Sequence, residues 1–213
     1  MIRPIDHSSR LNGLYVITSG AYHLRVARGA LVGGARLIQL RDQQMPPAQL
    51  LETARELRRL TREFDSLFFV CDHLELAREV EADGVHLEYS PLSLEEARRE
   101  VGEQMLLSTG VGSVERALRA QDAGADYLGI GPVFPTYTKK DAGPAIGFKG
   151  LEAIRAAVSI PLVAIGGLSI ANIRQVSTEM AGSVAALAEQ LSEFEVEMTT
   201  HLLLEELASR VRE

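Results

Sequence analysis

Residues 122–141 read DAGADYLGIGPVFPTYTKKD, and this stretch holds one complete unit of the fold. Gly124 follows a polar helical segment, Tyr127–Ile130 forms a short apolar strand, and Gly131-Pro132 stops it before a polar loop. Glycine just past a helix accepts the left-handed turn that side chains resist, so the chain can enter a strand at once. The same order of helix, glycine and strand recurs as VGGARLIQL (32–40), EADGVHLE (81–88) and EMAGSVAAL (179–187). Gly34, Gly84 and Gly182 are predicted to make the turn in each.

Working outward, eight strands are predicted: Leu14–Thr18, Leu37–Leu40, Leu67–Val70, Val85–Leu87, Met105–Leu107, Tyr127–Ile130, Leu162–Ile165 and Val184–Leu187. Each is apolar and largely unalternated, the pattern of a parallel strand covered on both faces. Amphipathic stretches lie between them. Leu50, Ala54, Leu57 and Leu60 make one apolar helix face, and Arg55, Glu56, Arg59 and Arg62 the polar face. Ser93-Leu94-Glu95-Glu96 and Ser113-Val114-Glu115 read as helix starts with a hydroxyl cap. Each crossover is long enough for one helix. Eight such units within 213 residues predict the α/β class and a single (β/α)8 TIM barrel over 1–213. In this scheme 1–12 is an N-terminal extension. Residues 192–213, with Phe194, Val196, Leu202, Leu203, Leu204 and Leu207, form a closing helix and a candidate homodimer contact. An open doubly wound sheet is the competing architecture, but its G-x-G-x-x-G signature is absent after the first strand.

The length suits one well-buried core. A net charge of -7 argues against a nucleic-acid partner. No apolar run approaches the ~20 residues of a membrane span, and MIRPIDHSSR has no apolar signal core. The single cysteine, Cys71, excludes an internal disulfide and a cysteine-built zinc site. The expected compartment is the cytoplasm.

In a barrel of this kind the site forms at the carboxyl ends of the strands. That rule selects Gln39, Arg41, Asp42 and Gln43; Cys71, Asp72 and His73; His86, Glu88 and Tyr89; Ser108, Thr109 and Gly110; Gly166-Gly167 with Asn172; and Ala188-Glu189. It also selects the loop with Thr136, Thr138, Lys139 and Lys140, whose hydroxyls and ammonium groups suit an anion such as a phosphate ester. Arg41 either pairs with Asp42 or forms an anion fork beside Gln39. Asp72-His73 either cap the next helix or take a metal or acid–base role. His86 points inward, as a satisfied core histidine or a ligand contact. Gly166-Gly167 let a phosphate approach the backbone, with a helix N-terminus expected behind them. Cys71 reads as packing rather than as a nucleophile.

LYVIT, GGARLIQLRD, DHLELA, ADGVHL, DAGADYLGIGPVFPTYTKKD and IPLVAIGG together resemble the thiamine phosphate synthase and thiazole tautomerase (TenI) superfamily over roughly Leu14 to Leu191. The resemblance implies a transferase of thiamine biosynthesis that couples a pyrimidine diphosphate to a thiazole phosphate and releases magnesium-bound pyrophosphate. It would place Gln39, Arg41 and Lys139 on the diphosphate substrate and Asp72 on Mg2+. Thr136, Thr138 and Gly167 would sit near the thiazole phosphate. Small phosphorylated heterocycles are thus the implied partners. Against the synthase pattern, Gln43 stands for a lysine, Cys71 for an asparagine, Pro91 for the second metal carboxylate and Gly110 for a serine. Ala188-Glu189 replaces phosphate-holding residues, and Gly112 stands where the tautomerase branch has its histidine. Three readings stay open: a synthase with altered ligands, a TenI-like isomerase of thiazole phosphate, and a catalytically silent phosphate-binding or regulatory barrel.

Overall fold

The computed structural model of the chain describes residues 10–136, 142–176, 183–187 (backbone) and 192–208. Eight parallel strands close into a barrel in chain order: β1 (Gly13–Thr18), β2 (Leu37–Leu40), β3 (Leu67–Cys71), β4 (Gly84–Leu87), β5 (Leu106–Val111), β6 (Tyr127–Ile130), β7 (Leu162–Ala164) and β8 (Ser183–Leu187). β8 pairs with β1 from Gly13↔Ser183 to Ile17↔Leu187, which closes the ring. All eight predicted strands form, with ends shifted by a few residues. The largest shift is in β5, which runs on to Val111 beside Ile130 of β6.

The unalternated strands conceal a period of two between two apolar environments. On β1, Leu14 and Val16 pack outward against helices, while Tyr15 and Ile17 join Leu37, Phe69, Tyr127 and Val163 in a second cluster. The Tyr15 and Phe69 ring centroids lie 5.1 Å apart and those of Phe69 and Tyr127 5.6 Å apart. These rings come from strands that are not neighbours, so they meet inside the barrel.

The helices are α1 (His23–Val32), α2 (Pro47–Glu63), α3 (Leu74–Glu79), α4 (Leu94–Val101), α5 (Val114–Asp122), α6 (Gly147–Ala157) and α7 (Glu193–Ala208). α2 buries Leu50, Ala54, Leu57 and Leu60 as its pattern requires. Ser93 and Glu96 form a reciprocal capping box at α4, and the Ser113 side chain accepts from Arg116 N–H at α5. α7 buries Val196, Leu203 and Leu207 and leaves Phe194, Met198 and Leu202 exposed. The crossover from β7 to β8 departs from the expected scheme. Among the described residues it holds only the 3-10 turn Ile173–Gln175.

The repeat has a physical basis in two aspartates. Asp83 Oδ2 accepts from Phe68 N–H (2.7 Å) and pairs with Arg58, while Asp126 Oδ2 accepts from Leu107 N–H (2.7 Å) and pairs with Arg98. Each therefore ties the start of its own strand to the strand before. Gly34 and Gly124 turn at positive φ, as expected. Gly84 does not: the turn falls on Glu81 (φ 53), and a Cβ at Gly84 would lie 2.7 Å from the Phe69 ring and from Leu106 O. Its role is to leave room for Phe69 inside the barrel. Gly182 lies outside the described residues.

Candidate active site

Inward positions advance in steps of two along each strand toward the carboxyl end. Above the aromatic layer this rule brings together Gln39 of β2, Cys71 of β3, His86 of β4, Ser108 of β5 and Gly129 of β6. One step further, Arg41, Glu88 and Gly110 reach the rim. Gln39 and Ser108 are buried, and His86 is half-buried. The His86 ring passes over Gly129, where a Cβ would meet its Cε1 at 3.3 Å.

Arg41 does not pair with Asp42. Its Nε donates to Glu88 Oε2 at 2.6 Å. Burial opposes the charge of Arg41, and the Glu88 carboxylate more than offsets that and holds its pKa above the ordinary value. Asp42 turns outward to His23 instead, with Oδ2 3.1 Å from Nε2, and its Oδ1 accepts from the N–H groups of Gln44 and Met45. Partial burial alone would raise the Asp42 pKa. The bonds from Gln44, His23 and Met45 outweigh it and lower the pKa.

Asp72 sits at φ 62, in the left-handed region. Its Oδ1 accepts from the N–H groups of Glu88 (2.6 Å), Tyr89 (2.9 Å) and Ser90 (3.0 Å), so it fastens the loop that aims Glu88 at Arg41. Asp72 Oδ2 accepts from the Cys71 thiol at 3.4 Å, and Glu88 Oε2 lies 3.9 Å from the same sulfur. Burial, then Asp72 and Glu88, push the Cys71 thiol far up, so it stays protonated. His73 is exposed and makes no side-chain cap at α3.

Gly166 and Gly167 take φ 93 and 66. A Cβ there would lie 2.5 Å from Pro132 Cβ and 2.6 Å from Pro135 O respectively, so the pair lets the β6 loop seat against strand seven. Phe134 N–H donates to Gly166 O, and Asn172 Nδ2 donates to Gly167 O. Among the described residues, no acceptor meets the N–H of Gly166 or Gly167. The element behind them is the Ile173–Gln175 turn rather than an α-helix. Thr136, between β6 and α6, is half-buried. Thr138, Lys139, Lys140, Ala188 and Glu189 lie outside the described residues.

No group of three or more His, Cys, Asp or Glu side chains among the described residues could hold a metal by itself. Asp72 Oδ2 and Glu88 Oε2 do converge on one point, the Cys71 sulfur. Two carboxylates suit a Mg2+ ion that arrives with phosphate oxygens and water, since such sites need only one or two protein carboxylates. Spacing along the chain gave no sign that Glu88 would face Arg41. Tyr15 and Tyr127, which support Gln39 and Ser108 from below, were also missed. A tyrosine among aliphatic residues in LYVIT and in ADYLGI is the signal that marks them.

The sequence profile of the TMP-TENI family, described as thiamine monophosphate synthase, matches residues 14–189. The chain is 42% identical over 181 residues to a thiamine-phosphate synthase of Methanospirillum hungatei, covering 83% of this chain and 88% of the relative. It is 40% identical over 204 residues to that of Moorella thermoacetica, covering 93% and 97%. A solved thiamine phosphate pyrophosphorylase from Pyrococcus furiosus superposes with a TM-score of 0.83 at 39% identity, covering 95% of this chain and 98% of that one. A barrel built in this order, with this rim and these relatives, belongs to the thiamine monophosphate synthase/TenI family.

Proposed function

We propose that the chain is a thiamine phosphate synthase, joining a pyrimidine methylene carried on a diphosphate to the ring nitrogen of a thiazole phosphate. The observation that carries this reading is the Arg41 guanidinium at the barrel rim. Glu88 takes its Nε and, among the described residues, nothing takes its two Nη groups, the fork that suits a diphosphate. The curated relatives named thiamine-phosphate synthase, at about 40% identity over most of both chains, support the same substrates.

In this reading the bond from the methylene carbon to the diphosphate oxygen breaks first, and pyrophosphate leaves with the electron pair. The thiazole nitrogen then supplies a lone pair to the carbon, so no strong base is required. Arg41 and Lys139 neutralise the growing charge on the leaving group. Gln39 and His86 hold the pyrimidine against the buried floor, where water is excluded. The N–H groups of Gly166 and Gly167 receive the thiazole phosphate, with Thr136 and Thr138 beside it. Asp72 would hold Mg2+ at the diphosphate, with Glu88 in place of the missing second carboxylate; the ion would add charge neutralisation there.

The test is direct. Purified protein with both substrates and Mg2+ forms thiamine phosphate, and Lys139→Ala abolishes the product. Product no greater than the no-enzyme control would reject the reading.

A further inference from the structure

Phe194, Met198 and Leu202 of α7 follow one another at intervals of four, so they line one side of the helix. They are 67%, 43% and 41% exposed. Single apolar side chains on a surface mean little, but a row of large ones marks a contact face. Val32 of α1 is 50% exposed. It precedes Gly33, which packs on α7, and so stands at the edge of the same face.

The two helices lie side by side and run parallel. Gly29 packs against Glu193 and Val196, and Gly33 against Glu197 and Thr200, with no room for a side chain at either glycine. This register sets Arg28 level with Glu193, and Val32 level with Glu197 and Met198. The helices differ in charge. α1 carries Arg25 and Arg28 and no acid, whereas α7 carries five glutamates and no lysine or arginine. Among the described residues, Arg28, Glu193 and Glu197 form no ion pair. A basic ridge and an acidic ridge therefore share one face with an apolar row.

We infer that this face binds a second copy of the chain, as an isologous dimer whose two-fold axis runs along the helix pair. Such an axis lies in the interface and lays α1 of each copy on α7 of the other. Arg28 then meets the glutamates of the second copy at positions 193 and 197, and Val32 meets its Phe194 and Met198. The charge pattern selects this axis. An axis across the helix pair would lay α7 on α7, with five glutamates facing five, and like charges across an interface are strongly disfavoured. Exposed aromatic and methionine side chains beside a charged rim are the usual make-up of such a contact. The face is on the outer wall of the barrel, so the mouth with Arg41 stays open and the inference does not depend on the synthase reading.

The experiment is sedimentation velocity on the full chain at micromolar concentrations, with circular dichroism to confirm that each variant is folded. The native chain is expected to sediment as a dimer. Phe194→Glu and Met198→Glu, both at exposed positions, are each expected to give a folded monomer. Arg28→Glu is expected to raise the dissociation constant about tenfold, since one substitution acts at both copies of the contact. Glu197→Arg is expected to do the same. Combining the two restores opposite charges, and the constant is expected to return to within about threefold of the native value. A monomeric native chain overturns the inference, whether residues 1–9 or another protein covers the face. So does a dimer that both Phe194→Glu and Met198→Glu leave intact. A charge swap that fails to restore the dimer overturns the laying of α1 on α7.

Discussion

Arg41 Nε and Glu88 Oε2 meet at 2.6 Å across the barrel mouth, one from the end of β2 and the other just past β4. Glu88 both steadies the guanidinium and sets a negative charge beside any anion that Arg41 receives. Glu88→Gln keeps an acceptor for Nε and removes that charge. In EDTA, without Mg2+, pyrophosphate is therefore expected to bind about fivefold tighter by calorimetry, equivalent to ~1 kcal/mol of repulsion removed. Weaker binding would mean that the carboxylate matters mainly for holding Arg41 in place.

Gly110 faces inward at the rim, and a Cβ there meets nothing within 4 Å. A serine fits without displacing anything, and its hydroxyl would stand where the synthase pattern holds diphosphate. Gly110→Ser is expected to leave the melting temperature unchanged or slightly raised. KM for the pyrimidine diphosphate is expected to fall. A variant that melts several degrees lower would show that the rim is filled in solution.

Gly84→Ala is expected to do the opposite. The added methyl would sit 2.7 Å from both the Phe69 ring and the Leu106 carbonyl, and a backbone carbonyl cannot rotate aside. Overpacking of this kind costs about 1–3 kcal/mol, occasionally more. Urea unfolding with a midpoint equal to that of the native chain would contradict the tight fit.

The Asp42 carboxylate has a depressed pKa, held by Gln44, His23 and Met45 against partial burial. A depressed folded pKa stabilises the protein above the unfolded value, ordinarily 3.8, and that contribution is lost as pH falls through the lower folded value. The stability advantage of the native chain over Asp42→Asn is therefore expected to be constant at neutral pH and to shrink below about pH 4. Denaturant titrations from pH 7 to 3 measure it. A gap that widened on acidification would reverse the assignment.

The barrel was readable because each strand is a short apolar run and each crossover carries its own signal, such as Ser93 with Glu96 or the face of Leu50, Ala54, Leu57 and Leu60. Gly84 looked like a turn residue because a glycine freeing a φ angle and a glycine making room for a ring look alike in one chain. For the β7–β8 crossover length alone pointed to a helix, and length does not distinguish a helix from the 3-10 turn Ile173–Gln175 that the described residues hold.

For the site, the sequence determined which residues gather at the carboxyl ends of the strands, since strand ends and a period of two place Gln39, Arg41, His86 and Gly110 there without any distance being known. It could not determine what each one touches there. Arg41 has Asp42 as its chain neighbour, yet β-strand geometry sends consecutive side chains to opposite faces, so Asp42 goes out to His23 and Arg41 goes in to Glu88. The Tyr15 and Tyr127 hydroxyls lie 3.1 Å apart although the residues stand 112 positions apart in the chain. Local order along the chain fixes which face a side chain takes. Only closure of the barrel, which brings distant strands within one hydrogen-bond length, decides its partner.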